Sequence, residues 1–402
     1  MNNEYKQLLQ KKEFASLKDS PRVILKWATG CGKSKMALDL IKYNAQKYDN
    51  PHILFLVAER AHIQNWKDEF KKWGFDYIPE IKCYASLHKV ERDSYDFLVL
   101  DEAHHAFTEK RLENLKKISS EYVYLLSATL SVAKEEEVKE LYGSFSISSV
   151  TLKDAIENDI LPDPKVYVID MFLDDDYANQ EIKINNPSSD APIVDWYSRN
   201  KYIYSKQPCI IKCTEKQKYL YLTNTMEYWK ERYYLSKNMF HRNKWVGLGS
   251  ERKRFLGELK TEALRRLIAK IRGKRYVCFC ATVRQATTIG RNTIASTKTQ
   301  RHNQGIIDSF NNKKIHSIYA VGMITEGMNL KDIQVGIITQ LDGKERLFIQ
   351  KFGRSLRAED PVSFIFCMKD TQDEKYLKNA FENIDEKFIQ HININQIKGI
   401  RL

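Results

Sequence analysis

Trp27-Ala28-Thr29-Gly30-Cys31-Gly32-Lys33-Ser34 is the stretch whose reading decides the fold. Arg22-Val23-Ile24-Leu25-Lys26 leads into it, apolar and β-prone, and Met36, Leu38, Leu40 and Ile41 recur among polar residues after it. The pattern predicts strand, glycine loop, helix. Gly30 and Gly32 permit a tight turn, and a helix start supplies oriented N–H groups, so the loop is a candidate phosphate cradle. In that reading Thr29, Gly30, Cys31 and Gly32 form the cradle, Lys33 reaches the β- and γ-phosphates of a nucleotide, and Ser34 offers its hydroxyl to Mg²⁺. Trp27 stands where the strict pattern has a glycine, six residues before the lysine. The alternative is an ordinary glycine turn capping a helix.

The next strong signal lies downstream. Ile53-Leu54-Phe55-Leu56-Val57-Ala58 is a continuous apolar run, as in a parallel strand buried on both faces. A helix is expected from Ala61 to Trp73, closed by Gly74, and a weaker strand over Ile81–Leu87. Then Phe97-Leu98-Val99-Leu100 runs straight into Asp101-Glu102. Open α/β sheets bind ligands at the carboxyl ends of their strands, which is where both acids fall. One suits holding Mg²⁺ through water and the other suits polarising an attacking water. A strand ending in a charged turn would look the same in isolation; beside the glycine loop, catalysis is the better reading. Tyr122–Leu126 is a further strand, ending in Ser127-Ala128-Thr129. The first half is therefore an open, mostly parallel sheet flanked by helices.

ATGCGKS, DEAHH and SATL, in this order, resemble motifs I, II and III of superfamily 2 helicases. Phe55–Ala58 through Gln64 and Trp66 resembles motif Ia, and Tyr84-Ala85-Ser86-Leu87 a later segment that contacts nucleic acid. The form of motif Ia and the lack of a full adenine-reading motif separate the chain from DEAD-box RNA helicases. It is more similar to the branch holding type III restriction motors and DNA repair or branch-migration helicases. Tyr5 and Gln7 lie upstream of the loop where related motors recognise adenine, but a surface helix over residues 1–20 is the simpler expectation.

Leu161-Pro162-Asp163-Pro164 reads as a hinge, because two prolines interrupt helix and central strand alike. The expected division is residues 1–162 for an ATP-binding lobe and 163–402 for a second lobe with a loop and helical excursion at about 173–272. Lys165–Phe172 alternates as a strand, and Asp174–Pro192 is polar and turn-rich, as in a surface loop. Helices are expected at 214–236, rich in tyrosine, and at 251–272, rich in arginine and lysine. Aromatics among basic residues can stack bases and track phosphates, while an amphipathic pair with a solvated face is the plainer account. Tyr276–Cys280, followed by Ala281-Thr282 and a helix near Gln285, resembles motif IV. His316–Met323 reads as a strand, and Thr325 to Leu330 resembles motif V, with Gly327 and Asn329 at its glycine and Asp/Asn positions. Val335–Gln340 is a strand, and Gln350-Lys351-Phe352-Gly353-Arg354-Ser355-Leu356-Arg357 resembles motif VI. Val362–Met368 is expected to be the last strand, before a polar helical tail.

The resemblance implies α/β architecture with two RecA-like lobes, ATP and Mg²⁺ as cofactors, and a nucleic-acid partner, DNA in preference to RNA. It implies that Arg354 and Arg357, with Gln350, complete a site built on Lys33, Asp101 and Glu102. Guanidinium groups suit that role because they stay charged and can clamp two phosphate oxygens. Resemblance and loop position also suggest Arg60, Ser86, Thr129, Thr282 and Thr325 as strand contacts. An RNA helicase of the same fold, or a non-unwinding motor served by a partner with nuclease or targeting function, are the alternatives.

Composition agrees. The 402 residues are 43% hydrophobic and 29% charged, as in a soluble protein of two or three domains. No run approaches a membrane span, and the N-terminus lacks a signal-peptide core. The seven cysteines are scattered without metal-ligand spacing, and Cys278 and Cys280 read as core residues. These features predict a reduced, cytoplasmic protein. A net charge of +13 points weakly to a polyanion. Usage rich in Lys, Asn, Ile and Tyr fits an AT-rich bacterial or phage genome.

Overall fold

The structure is a computed structural model and describes residues 3–128, 130–184, 209–322, 330–341, 361–381 and 384–400. A helix, α1 (Asn3–Leu17), precedes strand β1 (Arg22–Trp27). There follow α2 (Lys33–Ala45), β2 (Ile53–Val57), α3 (Arg60–Lys72), β3 (Glu80–Cys83), β4 (Ser94–Asp101), α4 (Glu109–Leu115), β5 (Ser119–Leu126), α5 (Val132–Tyr142), β6 (Ser146–Val150) and α6 (Leu152–Glu157). The six strands form one parallel sheet in the order β3-β2-β4-β5-β1-β6.

Both faces of that sheet are covered, and the apolar runs show why. Along β4, Phe97 and Val99 enter one core cluster while Leu98 and Leu100 enter another on the opposite face. The first cluster takes Met36, Leu38 and Ile41 from α2 and Trp66 and Phe70 from α3; the second takes Leu115 from α4 and Val138 from α5. Each fully buried Leu, Ile or Phe contributes about 1.5–3 kcal/mol, which outweighs the weak helix signal of short segments such as α4.

The chain then passes Ile160 and Leu161, both buried, into β7 (Lys165–Met171). A second parallel sheet has the order β11-β12-β10-β13-β14-β7-β15, built from β10 (Tyr276–Phe279), β11 (Thr293–Ala295), β12 (Ser317–Val321), β13 (Val335–Ile338), β14 (Val362–Met368) and β15 (Ile389–Asn393). Its residues also alternate between two clusters: Val277 and Phe279 lie on one side of β10, and Tyr276 and Cys278 on the other. The expectation of two mostly parallel sheets flanked by helices holds.

Several details differ from the sequence reading. The strand expected over Ile81–Leu87 stops at Cys83 and turns into a 3₁₀ segment, Tyr84–Lys89, which carries the Tyr84 ring beneath the sheet edge. The expected surface loop contains β8 (Gln180–Ile184), paired antiparallel with β9 (Cys209–Cys213). Val362–Met368 is not the last strand, because β15 adds to the free edge of β7. Between β9 and β10 the helices α7 (Glu215–Ser236) and α8 (Met239–Leu259) pack as a hairpin, followed by α9 (Thr261–Lys270). Residues 239–250 are thus helical, although Gly247 and Gly249 weaken the helix signal there.

Candidate nucleotide-binding site

The glycine loop joins β1 to α2. Gly30 and Gly32 both have φ of 98°, in the left-handed region where a Cβ is strained. A Cβ on Gly32 would also lie 2.1 Å from the Gln10 side-chain nitrogen. Lys33 folds back over the loop and donates to the Trp27 carbonyl at 2.8 Å. That contact explains how tryptophan serves at the position where glycine is expected. Its carbonyl anchors Lys33, while its fully buried indole turns away and donates to Ser148 Oγ at 2.7 Å.

Cys31 is buried, and burial pushes its thiol up to about 11, with Lys33 and Lys6 opposing the shift. The side chain is a neutral packing group, and its N–H bonds Ala28 O at 3.3 Å. Thr29, Lys33 and Ser34 are half-buried at the mouth of the loop.

The two acids stand at the same edge of the sheet. In the strand order, β4 and β1 flank β5, so their ends are separated by about 10 Å. Asp101 is already positioned: Trp66 Nε1 donates to Oδ2 at 2.9 Å and the Glu102 N–H donates to Oδ1 at 3.0 Å. Tyr84 donates its hydroxyl to the Asp101 carbonyl at 2.9 Å, and burial, followed by the Asp101 and Glu102 charges, holds that phenol well above its usual range. Glu102 has φ of 46°, an uncommon backbone for a side chain of this size. Among the described residues its buried Oε2 accepts no hydrogen bond, and His104 Nδ1 is 3.5 Å away. His104 Nδ1 lies 3.4 Å from Ser127 Oγ at the end of β5, which ties the acid turn to the neighbouring strand end.

Residues not anticipated from the sequence complete the loop's surroundings. Lys6 of α1 donates to Gly30 O at 2.5 Å, and Gln10 to Cys31 O at 3.4 Å. Lys6 and Gln10 are four apart on a helix, a spacing that puts them on one face and could have flagged them. Tyr5 is 47% exposed, in keeping with the surface-helix expectation.

The matches to known families fall on both ends of the chain. A model described as "Type III restriction enzyme, res subunit" matches residues 2–83, and one described as "Helicase conserved C-terminal domain" matches residues 259–359. Helicase-family models thus match two separate stretches of the chain, in keeping with its resemblance to superfamily 2 helicases. No curated protein matches its sequence.

Solved helicase structures share its fold. Dbp5 of S. cerevisiae, bound to RNA and ADP BeF3, matches with a TM-score of 0.61 at 10% identity, over 96% of this chain and 90% of that one. The Hef helicase domain of Pyrococcus furiosus matches at 0.53 and 14%, over 93% and 98%. The DNA-bound Type ISP restriction-modification enzyme LlaBIII matches at 0.55 and 13%, over 97% of this chain but 31% of the larger enzyme.

Of the remaining sites suggested by the sequence, Gly327, Asn329, Gln350, Arg354, Arg357, Thr129 and Thr325 lie outside the described residues. Arg60 is exposed at the start of α3, and Ser86 is half-buried in the 3₁₀ segment. That segment borders an open cleft of 520 Å³ lined by His88, Thr108, Lys110, Arg111 and Asn114 among others. Thr282 caps the helix Val283–Ile289, accepting from Gln285 N at 3.0 Å and donating to Glu258 Oε1 at 3.1 Å. Among the described residues no cluster of three or more His, Cys, Asp or Glu could hold a metal by itself, and no helix is long and apolar enough to cross a membrane.

Proposed function

We propose that the chain is an ATP-driven motor on nucleic acid, acting on DNA in preference to RNA, with residues 1–162 as the ATP-binding lobe and 163–402 as the lobe that closes on it. The observation that carries the reading is the pairing of two features at one sheet edge. One is the left-handed glycine loop with Lys33 held across it. The other is an oriented Asp101 beside a Glu102 oxygen that lacks a hydrogen bond among the described residues. Buried polar atoms are nearly always satisfied, so an open carboxylate beside a phosphate cradle suits a bound ligand.

In this reading Thr29 to Ser34 surround the phosphates, and Lys33 neutralises them. Ser34, and Asp101 through water, would hold Mg²⁺, which would offset the phosphate charge. Trp66 and Tyr84 fix Asp101 for that task. Glu102 orients the attacking water and takes its proton. The resemblance assigns Gln350, Arg354 and Arg357, with Gly327 and Asn329, to completing this site from the second lobe; all five lie outside the described residues. Closure is then tied to the γ-phosphate, and each cycle becomes a step if both lobes grip a strand.

Arg60 and Ser86 are accessible for that grip, and Thr129 and Thr325 are further candidates. Thr282 would have to release Glu258 to join them. Cys31, Cys83, Cys213, Cys278, Cys280 and Cys367 are buried and unbridged, which suits a reducing cytoplasm. A non-unwinding role beside a partner that supplies nuclease or targeting function is the second reading, favoured by the resemblance to a restriction enzyme's DNA-bound motor.

Strand displacement decides between the two. Forked DNA and forked RNA duplexes are incubated with ATP and the protein, with Lys33→Ala as control. ATP-dependent separation of the DNA fork, absent in the control, supports unwinding. ATP turnover stimulated by DNA without separation supports the second reading, and activity confined to RNA removes the DNA preference.

A further inference from the structure

The hairpin α7–α8 lies outside both family-matched stretches, 2–83 and 259–359, apart from its last residue, Leu259. Its root is locked to the second lobe. Gly257 runs so close to Ala281 that a Cβ there would meet the Ala281 Cβ at 2.0 Å. Lys260, fully buried, donates to Thr339 O at 2.8 Å, Gln340 Oε1 at 3.2 Å and Asp373 Oδ2 at 2.5 Å, which uses all three of its protons. Tyr219 packs with Leu256 and Met368, and its hydroxyl accepts the Gln372 N–H at 2.8 Å.

The outer half is built differently. Tyr219, Leu222, Met226 and Trp229 are buried, but no residue from 230 to 251 is. There Trp229 packs against Phe240 and His241 across the hairpin, and Tyr233 and Tyr234 against Trp245. Tyr234 is 55% exposed, Leu235 87%, Met239 55% and Phe240 56%. From Lys230 to Val246 the cations are Lys230, Arg232, Lys237, Arg242 and Lys244 and the only acid is Glu231, so the segment carries 5 − 1 = +4. Lys230 pairs with Glu227, while Arg232, Lys237, Arg242 and Lys244 are exposed and form no ion pair among the described residues. Lys237 sits over the rings of Tyr233 and Tyr234, Arg232 over Tyr228, and Lys244 over Phe240.

Exposed apolar surface of this kind marks an interaction site. An apolar partner alone would leave these cations desolvated and unpaired. An unpaired nucleic-acid strand satisfies both demands, because bases stack on rings and phosphates take the cations. We propose that the tip of this hairpin is a stacking platform for single-stranded nucleic acid, carried by the second lobe as a rigid arm. α7 is about 33 Å long, and its exposed outer part, residues 230–236, accounts for about 10 Å of that. The inference rests on the reading of the chain as a nucleic-acid motor and adds where the strand is held.

The test measures binding of labelled single-stranded DNA and RNA oligonucleotides by fluorescence anisotropy across a salt series. It compares the full chain with Tyr234→Ala/Phe240→Ala and with Lys237→Glu/Arg242→Glu/Lys244→Glu. All five changes are at the surface, and an unchanged unfolding midpoint confirms the fold of each variant. The aromatic variant is expected to raise Kd about tenfold or more with its salt dependence kept. The charge variant is expected to weaken binding and to lower the slope of log K against log salt by about 2. The tighter-binding polymer identifies the strand. Wild-type affinity in both variants overturns the proposal while leaving the motor reading intact, and weakening in the charge variant alone overturns the stacking. A wild-type protein that binds neither polymer overturns the motor reading as well.

Discussion

At the carboxyl edge of the first sheet, Glu102 keeps a buried carboxylate oxygen without a hydrogen bond among the described residues. At the same edge of the second sheet, Lys260 and Asp373 are both fully buried and fully engaged: Asp373 also takes the Met368 N–H at 3.2 Å and the Gln340 amide at 2.8 Å. Gln285 extends that network, accepting from Thr339 Oγ1 at 3.0 Å and donating to Gly257 O at 2.6 Å. Two sheets of the same parallel design thus use their ends in opposite ways. In the proposed function the first is left open for a ligand. The second closes its polar groups on one another and so fixes a hairpin root and a helix start. A buried charge that is completed internally is an anchor, whereas one left incomplete is a site.

Four substitutions sharpen or break this contrast. Arg354→Ala should have the largest effect, lowering kcat for ATP hydrolysis by about 10³–10⁵ if the open site in the first lobe needs charge from the second. Steady-state turnover would show it, and a rate close to wild type would remove lobe closure from the account.

Glu102→Gln should lower kcat by about 10²–10⁴ while nucleotide binding persists. Chemical denaturation should find this protein nearly as stable as the parent, since the buried Oε2 accepts no hydrogen bond among the described residues and has only His104 Nδ1 at 3.5 Å. Asp373→Ala should do the reverse, leaving Lys260 buried without its partner and costing about 3–5 kcal/mol of stability. If urea melts show the two variants equally destabilised, the distinction between site and anchor fails. Trp66→Phe is the mildest, removing one hydrogen bond from Asp101. A loss of about fivefold in kcat is expected, with stability nearly kept.

Much of the first lobe was legible because its signals are local. Gly30, Gly32 and Lys33 declare a loop whose backbone only glycine tolerates, and Leu98–Glu102 carries both a buried strand and its acids in consecutive residues. The strand β6 escaped notice because three serines in five residues hide it, yet it pairs along the whole of Val23–Trp27.

What holds the site in place was less legible because it is assembled from distant segments. Trp66 is 35 residues from Asp101, and Lys6 is 24 from Gly30. Nothing in Ile389-Gln390-His391-Ile392-Asn393 announces a strand until β7 offers an edge. The second lobe's anchor is the extreme case, since Lys260 and Asp373 lie 113 residues apart and each reads alone as surface charge. The hairpin's aromatic and basic composition was visible, but only the structure separates its buried root from its exposed tip.

The most direct measurement is the ATPase rate at low salt with no polymer, single-stranded DNA, duplex DNA, branched DNA and RNA, with Lys33→Ala as control. Low salt matters because contacts to phosphate weaken steeply as salt rises. The account predicts strong stimulation by DNA that disappears in the control. Stimulation by RNA alone would contradict the choice of DNA. No stimulation by any of these polymers would contradict the coupling of the nucleotide site to a strand.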